Sequence, residues 1–521
     1  HSHGIQKVKG EYTMTDMMNE RIPAEKFAFV QENEKLHDGE LQTKARSFFA
    51  DAMIRFGKNK SSVIAAWILL FLVLYAIFVP VFSQYTANDK DPMYVNYPPF
   101  SPFFSQFGFL NGARNMDSQN DRAMSIWKGI GIETGMDPII RIRGTHETEE
   151  KKRGQMIKRY TYDLEVNAYY AMGIVYRNFS YADYQKLQDW QNETGIQVIY
   201  PYVDTEDIGG ISDNPNIWFK MNSDGTALLD AEGNYIPAYS TRSDRAGAPY
   251  NSLRLAGDPG DWVYSTAKSG SVQCRILYYN YYIYLNGHEP SYLMGTNVMG
   301  LDLFTAIGLG ARFSLIFAIL VSAINLSIGA VYGSIQGYYG GAIDMTLDRI
   351  CDILSGVPFV VVTTLFQLHL AQKVGVVVSF LFAFVLTGWI GMAALTRKQF
   401  YRFKGQEFVL AARTLGASDG RLMFKHIFPN AIGTIITSCA LVIPGVISSE
   451  TSMTYLGIVD LSTYAGTTIG TLLSQGNGAA TTAPHAMLYP SIFLGLLMIC
   501  FNLFGNGLRD AFNPTTRGTD D

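Results

Sequence analysis

The sequence predicts a membrane all-α protein of six transmembrane helices, with an α+β domain inserted outside the membrane between the first and second of them. Three observations carry that expectation. Uncharged apolar runs recur, Val63–Phe82 first and several more after Phe313, and about 20 residues suffice to cross some 30 Å of hydrocarbon. From about Ser83 to about Met294 the chain is instead polar, aromatic and turn-rich, more than two hundred residues with Trp127, Trp190, Trp218 and Trp262 to build a core. Lysine and arginine crowd at the ends of alternate apolar runs, which fixes those connections on the cytoplasmic side.

Taken in order, residues 1–60 read as a cytoplasmic amphipathic segment, with His1 and His3 as an appended or unstructured tail. Arg46, Arg55, Lys58 and Lys60 precede the first span, 61–83, so the amino terminus lies inside. The insert, 84–294, carries loop signals such as NYPPFSPFF, IGGISDNPN and AGDPGDW. Runs such as IQVIYPYV and CRILYYNYYIYL read as strands, and SYADYQKLQDWQNE as a helix. Its tyrosines suit either a binding face or the half-buried surface of ordinary sheets.

The core, 295–510, adds five spans. Phe313–Tyr332 enters from outside, with Ser322, Ala323, Ser327, Gly329 and Ala330 for close helix contact. Gly337–Pro358 forms an inner helix in which Arg349 and Asp352 can pair at i,i+3. Val357–Leu370 runs out, a turn follows at Gln372 and Lys373, and Val376–Leu395 returns. Ala431–Ile447 is the fifth span, and Glu450 beyond it is an ionisable group at membrane depth or near the outer end, a pathway or interface candidate. Val459–His485 is an outer segment with a re-entrant helix, Met487–Phe504 the last span, and 511–521 a cytoplasmic tail.

Several functions are excluded by what the residues lack. A net charge of −4 without a basic, aromatic-interleaved run argues against nucleic acid. Cys351, Cys439 and Cys500 lie in or beside apolar runs and Cys274 is alone in the insert, so no disulfide staples it. There is no zinc-ligand spacing and no phosphate-cradling G-x-x-x-x-G-K-[ST], so metal and catalytic residues are both assigned as none, and the acids around His146–Glu150 read as a solvated face.

The most specific stretch is the loop 405–430, GQEFVLAARTLGASDGRLMFKHIFPN. From Arg397 to Lys425 it and its flank carry Arg397, Lys398, Arg402, Lys404, Arg413, Arg421 and Lys425 against Glu407 and Asp419, which places it inside. Gln406–Leu415 favours helix, and Gly416 falls where a carboxyl cap needs positive φ. Ser418 or Asp419 can cap a second short helix through Lys425 that Pro429 ends. Small residues at Ala411, Ala412, Gly416 and Ala417 let another protein surface come close, so the elbow reads as a docking element.

This stretch resembles the EAA loop of binding-protein-dependent ABC importer permeases, and most closely that of the oligopeptide/dipeptide C-type subunit. Leu410 stands where the motif's glutamate usually does. Other likenesses follow in order along the chain. Gly295–Asp302 resembles HxLGTDxxGRD with Asn297 and Leu301 substituted, and Gly337–Pro358 resembles a YYGG turn followed by a helix with Asp344, Arg349 and Asp352. SSETSMTYLGI resembles ETALSFLGLG, and Phe501–Pro514 resembles the family's carboxyl end.

The resemblance implies the type I ABC importer permease fold and alternating access. The implied partners are a homologous permease forming a heterodimer, two ATP-binding subunits that hold ATP and magnesium, and an extracytoplasmic peptide-binding protein that docks on the insert. This chain itself binds no cofactor. Glu407, Ala411, Ala412, Arg413, Gly416, Ala417, Ser418, Asp419 and Pro429 would couple to the ATPases, and Asp344, Arg349 and Asp352 would orient the inner helix. A permease for nickel or a glycoside is the nearest alternative, and a membrane-anchored sensor or ecto-binding protein a more distant one.

Overall fold

Asn59 starts the first apolar helix by accepting the amide of Ser62 (3.3 Å), a side-chain cap ahead of a run without charge. In the computed structural model that run is α2, Lys60–Phe82, following α1, Phe48–Lys58. Residues 48–152, 155–202, 219–220, 226, 229–233, 252–253, 259–461 and 466–512 are described. The expected tail at His1 and His3, most of the amphipathic segment, Trp218, the IGGISDNPN turn and residues 513–521 lie outside them. Contacts divide the chain into His1–Asp51 and Ala52–Asp521, and the second unit holds both the apolar helices and the insert.

The insert begins with α3, Pro102–Ser105, β1, Ala113–Asn120, and α4, Asp121–Thr134. The hairpin β2, Ile139–Lys152, and β3, Gln155–Asn167, pairs with β1 in the antiparallel order β1-β3-β2. After α5, Ala168–Ala171, come β4, Ile174–Phe179, α6, Tyr181–Thr194, and β5, Ile199–Tyr200. Two short strands, β6 at Phe219–Lys220 and β7 at Ser252–Leu253, pair with each other. A second sheet joins β4, β5 and β8, Ser265–Lys268, to the central β9, Ser271–Leu277.

The expected strand CRILYYNYYIYL stops at Leu277, and α7, Tyr278–Asn286, continues as helix. Tyr278, Tyr279, Tyr281 and Tyr282 are all buried there, the i, i+1, i+3, i+4 spacing of one helix face, and that burial overrides the β preference of aromatic residues. They join Tyr94, Tyr97, Phe100, Tyr169 and Tyr292 in one aromatic core. Tyrosine, with Trp190 at its margin, fills this core. Burial there pushes the lone Cys274 thiol up to about 12, a packed and unreactive group. As expected, Glu147 and Glu149 of β2 are solvated, with Glu147 paired to Lys158 and His146 to Asp163.

Asp302 accepts the amide (2.8 Å) and hydroxyl (2.7 Å) of Thr305 and so caps α8, Leu303–Tyr339, whose 37 residues span about 55 Å. The insert is fastened to this end: Thr296 donates to Tyr94 O (2.5 Å) and accepts the amide of Tyr97 (2.8 Å). Next come α9, Gly341–Ser355, α10, Phe359–His369, α11, Ala371–Val374, α12, Val376–Gly388, α13, Ile390–Phe403, α14, Glu407–Thr414, and α15, Asp419–Arg421. A π-helical turn, Leu422–Ile427, runs into α16, Phe428–Tyr455. α17, Ile469–Gly478, opens with a Thr468–Thr471 capping box, and α18, His485–Phe512, is last.

Among the described residues, five helical stretches are long and apolar enough to cross a membrane, with α12–α13 and α15–α16 each counted as one, or six if α9 and α10, bent by 73°, form one crossing. Their shared core draws on α2, α8, α12, α16, α17 and α18. α8 packs along α13. Of the small residues expected there, Ser322, Gly329 and Ala330 are buried but Ala323 and Ser327 are exposed. The close stripe is Gly329, Gly333 and Gly337, where a Cβ at Gly329 would meet the carbonyl oxygen of Trp389, just ahead of α13, and one at Gly337 that of Arg397 within it, each at 2.7 Å.

Candidate functional site

The loop 405–430 forms a bent element at the end of α8 opposite the insert. Its first arm is α14, where Val409 and Ala412 face inward while Phe408, Leu410 and Ala411 face out. Gly416 follows at φ +82°, and the amides of Gly416 and Ala417 close on the carbonyls of Arg413 (3.0 Å) and Ala412 (3.1 Å). This paired closure is the Schellman turn, which requires a residue at positive φ and so explains the glycine.

The second arm differs from the sequence expectation. Pro429 does not end a short helix: α15, the π turn and α16 run on continuously from Asp419 to Tyr455. Pro429 sits in the first turn of α16, where a missing N–H is tolerated, and the preceding π turn, closed by Phe428 N on Met423 O, absorbs the mismatch. Ser418 stands at the cap position but its side chain accepts no cap hydrogen bond. Asp419 instead accepts the hydroxyl of Tyr338 (2.5 Å), to which Arg413 also donates (3.3 Å) while lying over the ring.

Tyr338, in the last turn of α8, is therefore the clasp between the elbow and the bundle. Beneath it Tyr338, Phe400, Val409, Leu422, Met423 and Ile427 form a small separate core. The outward side holds Glu407, Ala411, Gly416 and Ser418, with Phe408, Leu410, Leu415 and Phe424 as exposed apolar groups; Leu415 is 88% exposed. The same element also exposes Glu407, Arg421 and Lys425, so apolar and charged groups share its outward side.

A second cluster fixes α9. Asp344 is buried and accepts from Arg397 (2.6 Å) and the Tyr401 hydroxyl (2.5 Å), and Arg397 also reaches Asp348 (2.9 Å). Asp344 and Asp348 stand at i,i+4 on α9, as Arg397 and Tyr401 do on α13, so four residues lock two helices. Arg349 and Asp352 pair at 2.8 Å as expected, but both are exposed, where such a pair contributes tenths of a kcal/mol. Of the three, Asp344 is the one that is buried and bonded across to α13. Arg397, Tyr401 and Tyr338 lie outside the site expected from sequence, where Arg397 counts only toward topology, and the i,i+4,i+8 glycines of α8 are the signal for the α8–α13 contact.

Glu450 is fully buried between α16 and α8, where its Oε2 accepts from Ser314 (2.7 Å) and Thr451 (3.4 Å). Oε1 has no partner among the described residues. The carboxyl thus sits at a helix interface inside the main core. Among the described residues no group of three His, Cys, Asp or Glu could hold a metal ion.

Residues 329–518 match the family described as binding-protein-dependent transport system inner membrane component, and residues 47–99 match the N-terminal TM domain of oligopeptide transport permease C. Neither match covers 100–328, which contains most of the insert. The oligopeptide transport system permease protein OppC of Bacillus subtilis is 38% identical over 236 residues, 45% of this chain and 76% of that protein. The dipeptide transport system permease protein DppC of Bacillus subtilis is 34% identical over 224 residues, 43% of this chain and 68% of that protein. Among solved structures, the MetNI methionine ABC transporter aligns over 40% of this chain and 96% of that one, at 14% identity and a TM-score of 0.34. Identity of this level across three quarters of a relative, with both family matches in order, makes the chain a multi-pass membrane member of the binding-protein-dependent transport permeases, in their oligopeptide/dipeptide C-type branch.

Proposed function

We propose that this chain is the permease subunit of an ATP-driven importer of oligopeptides or dipeptides. The elbow carries the reading: a rigid Schellman turn between two helical arms, clasped to α8 by Tyr338 and leaving an exposed apolar face. Such a face suits seating in a separate ATPase, and helices pass on a displacement that a flexible loop would absorb. Glu407, Ala411, Ala412, Arg413, Gly416, Ala417, Ser418, Asp419 and Pro429 form the coupling element, ATP and magnesium belong to two partner ATPases, and a homologous permease completes the pathway. Asp344 sets the inner helix, with Arg349 and Asp352 on its outer surface, and Glu450 ties α16 to α8.

In this arrangement the protein sits in the cell membrane with six spans and both termini in the cytoplasm, α9 and α10 together making the third. Residues 1–60 are the amino-terminal segment, 61–83 the first span, 84–294 an extracytoplasmic insert on which a peptide-binding protein docks, 295–510 the core and 511–521 the tail. The test is co-purification with two ATPases followed by ATP-dependent uptake of labelled peptides into proteoliposomes. Assembly with the ATPases and uptake of peptide supports the reading; uptake of nickel or a glycoside without peptide refutes it.

A further inference from the structure

A hollow of about 640 Å³ opens between the segment that follows α2 and helix α7, within the range of about 300–1,000 Å³ typical of small-ligand sites. Tyr278, Tyr282 and Tyr292 line it together with Asp89, Asp91, Lys90 and Arg177, so aromatic walls, two carboxylates and two cations share one space. No two of these charges pair with each other. Asp91 receives Met93 N (2.8 Å), Tyr94 N (3.2 Å) and the Tyr278 hydroxyl (2.7 Å), all on Oδ1, while Oδ2 accepts none among the described residues. The guanidinium of Arg177 lies 5.3 Å from the ring centre of Tyr281 and 6.0 Å from that of Tyr278, which holds it in place without neutralising it. No carboxylate pairs with it or with Lys90 among the described residues.

A simple anion would satisfy the cations and leave Asp91, and Asp89 beside it, facing a further negative charge; a simple cation would do the reverse. A molecule with a carboxylate at one end, an ammonium at the other and side chains to lie against tyrosine rings satisfies the whole lining. We propose that the hollow is a peptide subsite in the insert, taking a short peptide with free termini, its carboxylate on Arg177 and Lys90 and its ammonium on Asp91. Only the choice of a peptide over another zwitterion rests on the importer reading. Charge-assisted hydrogen bonds at both termini give the site selectivity for short unblocked peptides, and the tyrosine walls tolerate varied side chains.

The experiment is calorimetric titration of the full chain in nanodiscs with a tripeptide carrying a central phenylalanine, in free, N-acetylated and C-amidated forms. The free form binds saturably and each blocked form at least about tenfold more weakly, the size of one lost charge-assisted contact. Arg177→Gln weakens the free form about tenfold and abolishes discrimination against the amide. Asp91→Asn keeps the Oδ1 acceptor that holds the turn, yet abolishes discrimination against the acetylated form. Absence of saturable binding, or equal affinity for all three forms in wild type and both variants, overturns the site. Uptake of the same tripeptide by the assembled wild-type transporter is read in parallel: uptake without binding here removes the subsite and leaves the importer, whereas binding without uptake keeps the subsite and removes the importer.

Discussion

Replacing Gly416 by valine isolates the elbow's geometry from its contacts. A Cβ at this position meets nothing within 4 Å, so the substitution acts through the backbone alone. At φ +82° a non-glycine residue costs about 1–2 kcal/mol, and a β-branched one stands at the upper end or beyond. The turn can escape that strain only by leaving positive φ, which sacrifices the two closing hydrogen bonds at 3.0 and 3.1 Å, each contributing about 1 kcal/mol. Both routes come to about 2 kcal/mol, so the native bend loses roughly thirtyfold in population against unbent alternatives. The main bundle core does not include this turn, so the melting temperature of the purified chain stays close to wild type while the elbow deforms. In reconstituted complexes with the ATPases, Gly416→Val lowers peptide uptake per ATP hydrolysed several-fold, and Gly416→Asn, which tolerates positive φ, retains most of it. Intact assembly with unchanged transport-coupled ATP turnover in Gly416→Val would refute the coupling role of this turn.

Three further outcomes follow from the packing and electrostatics. Asp344→Ala leaves Arg397 half-buried with Asp348 as its only carboxylate, and lowers stability by about 2–4 kcal/mol in a thermal melt, whereas Arg349→Ala changes it by less than about 0.5 kcal/mol. Gly337→Val drives a branched side chain into the Arg397 carbonyl and Phe400, so α8 and α13 separate, and crosslinking of cysteines placed on those two helices falls. Burial pushes the Asp302 carboxyl up to about 6, above its ordinary 3.8. The folded state therefore holds the proton more tightly than the unfolded one, and stability falls as pH rises from about 4 to about 6, by up to about 3 kcal/mol, then levels. Asp302→Asn preserves a cap and flattens that slope; an unchanged slope in the variant would assign the pH dependence to another group.

The long apolar runs were legible because nothing competes with twenty uncharged residues, and the elbow was legible because glycine at its bend has a single backbone reason to be there. The carboxyl arm was misread because proline ends helices in soluble segments, yet at Pro429 a π turn takes up the lost hydrogen bond and the helix continues. YYNYYIYL was misread because tyrosine favours strands, and only the burial of Tyr278, Tyr279, Tyr281 and Tyr282 together shows the helical period. Arg397 was counted as one more positive charge because its partner, Asp344, lies fifty-three residues away and on another helix, a pairing that local spacing cannot reveal.

What unites the two ends of the molecule is α8. At its amino end Asp302 caps it, and Thr296 ties the preceding turn to Tyr94 and Tyr97 of the insert. Midway, Ser314 binds Glu450 of α16, and three glycines seat α13 against it with backbone touching backbone. At its carboxyl end Tyr338 holds Asp419 and Arg413 of the elbow. A displacement at the elbow therefore meets a helix of about 55 Å that lacks an internal proline and joins the insert through the short turn that Thr296 ties down. The glycine contact seats α13 directly on the backbone of α8, whereas α10 meets α9 at a 73° bend. If the elbow couples to the ATPases as proposed, the α8–α13 pair is the part expected to carry the stroke and the α9–α10 bend the part expected to yield. On that division, a disulfide joining α8 to α13 leaves uptake intact, a disulfide joining α10 to α12 stops it, and the reverse pattern would place the moving joint elsewhere.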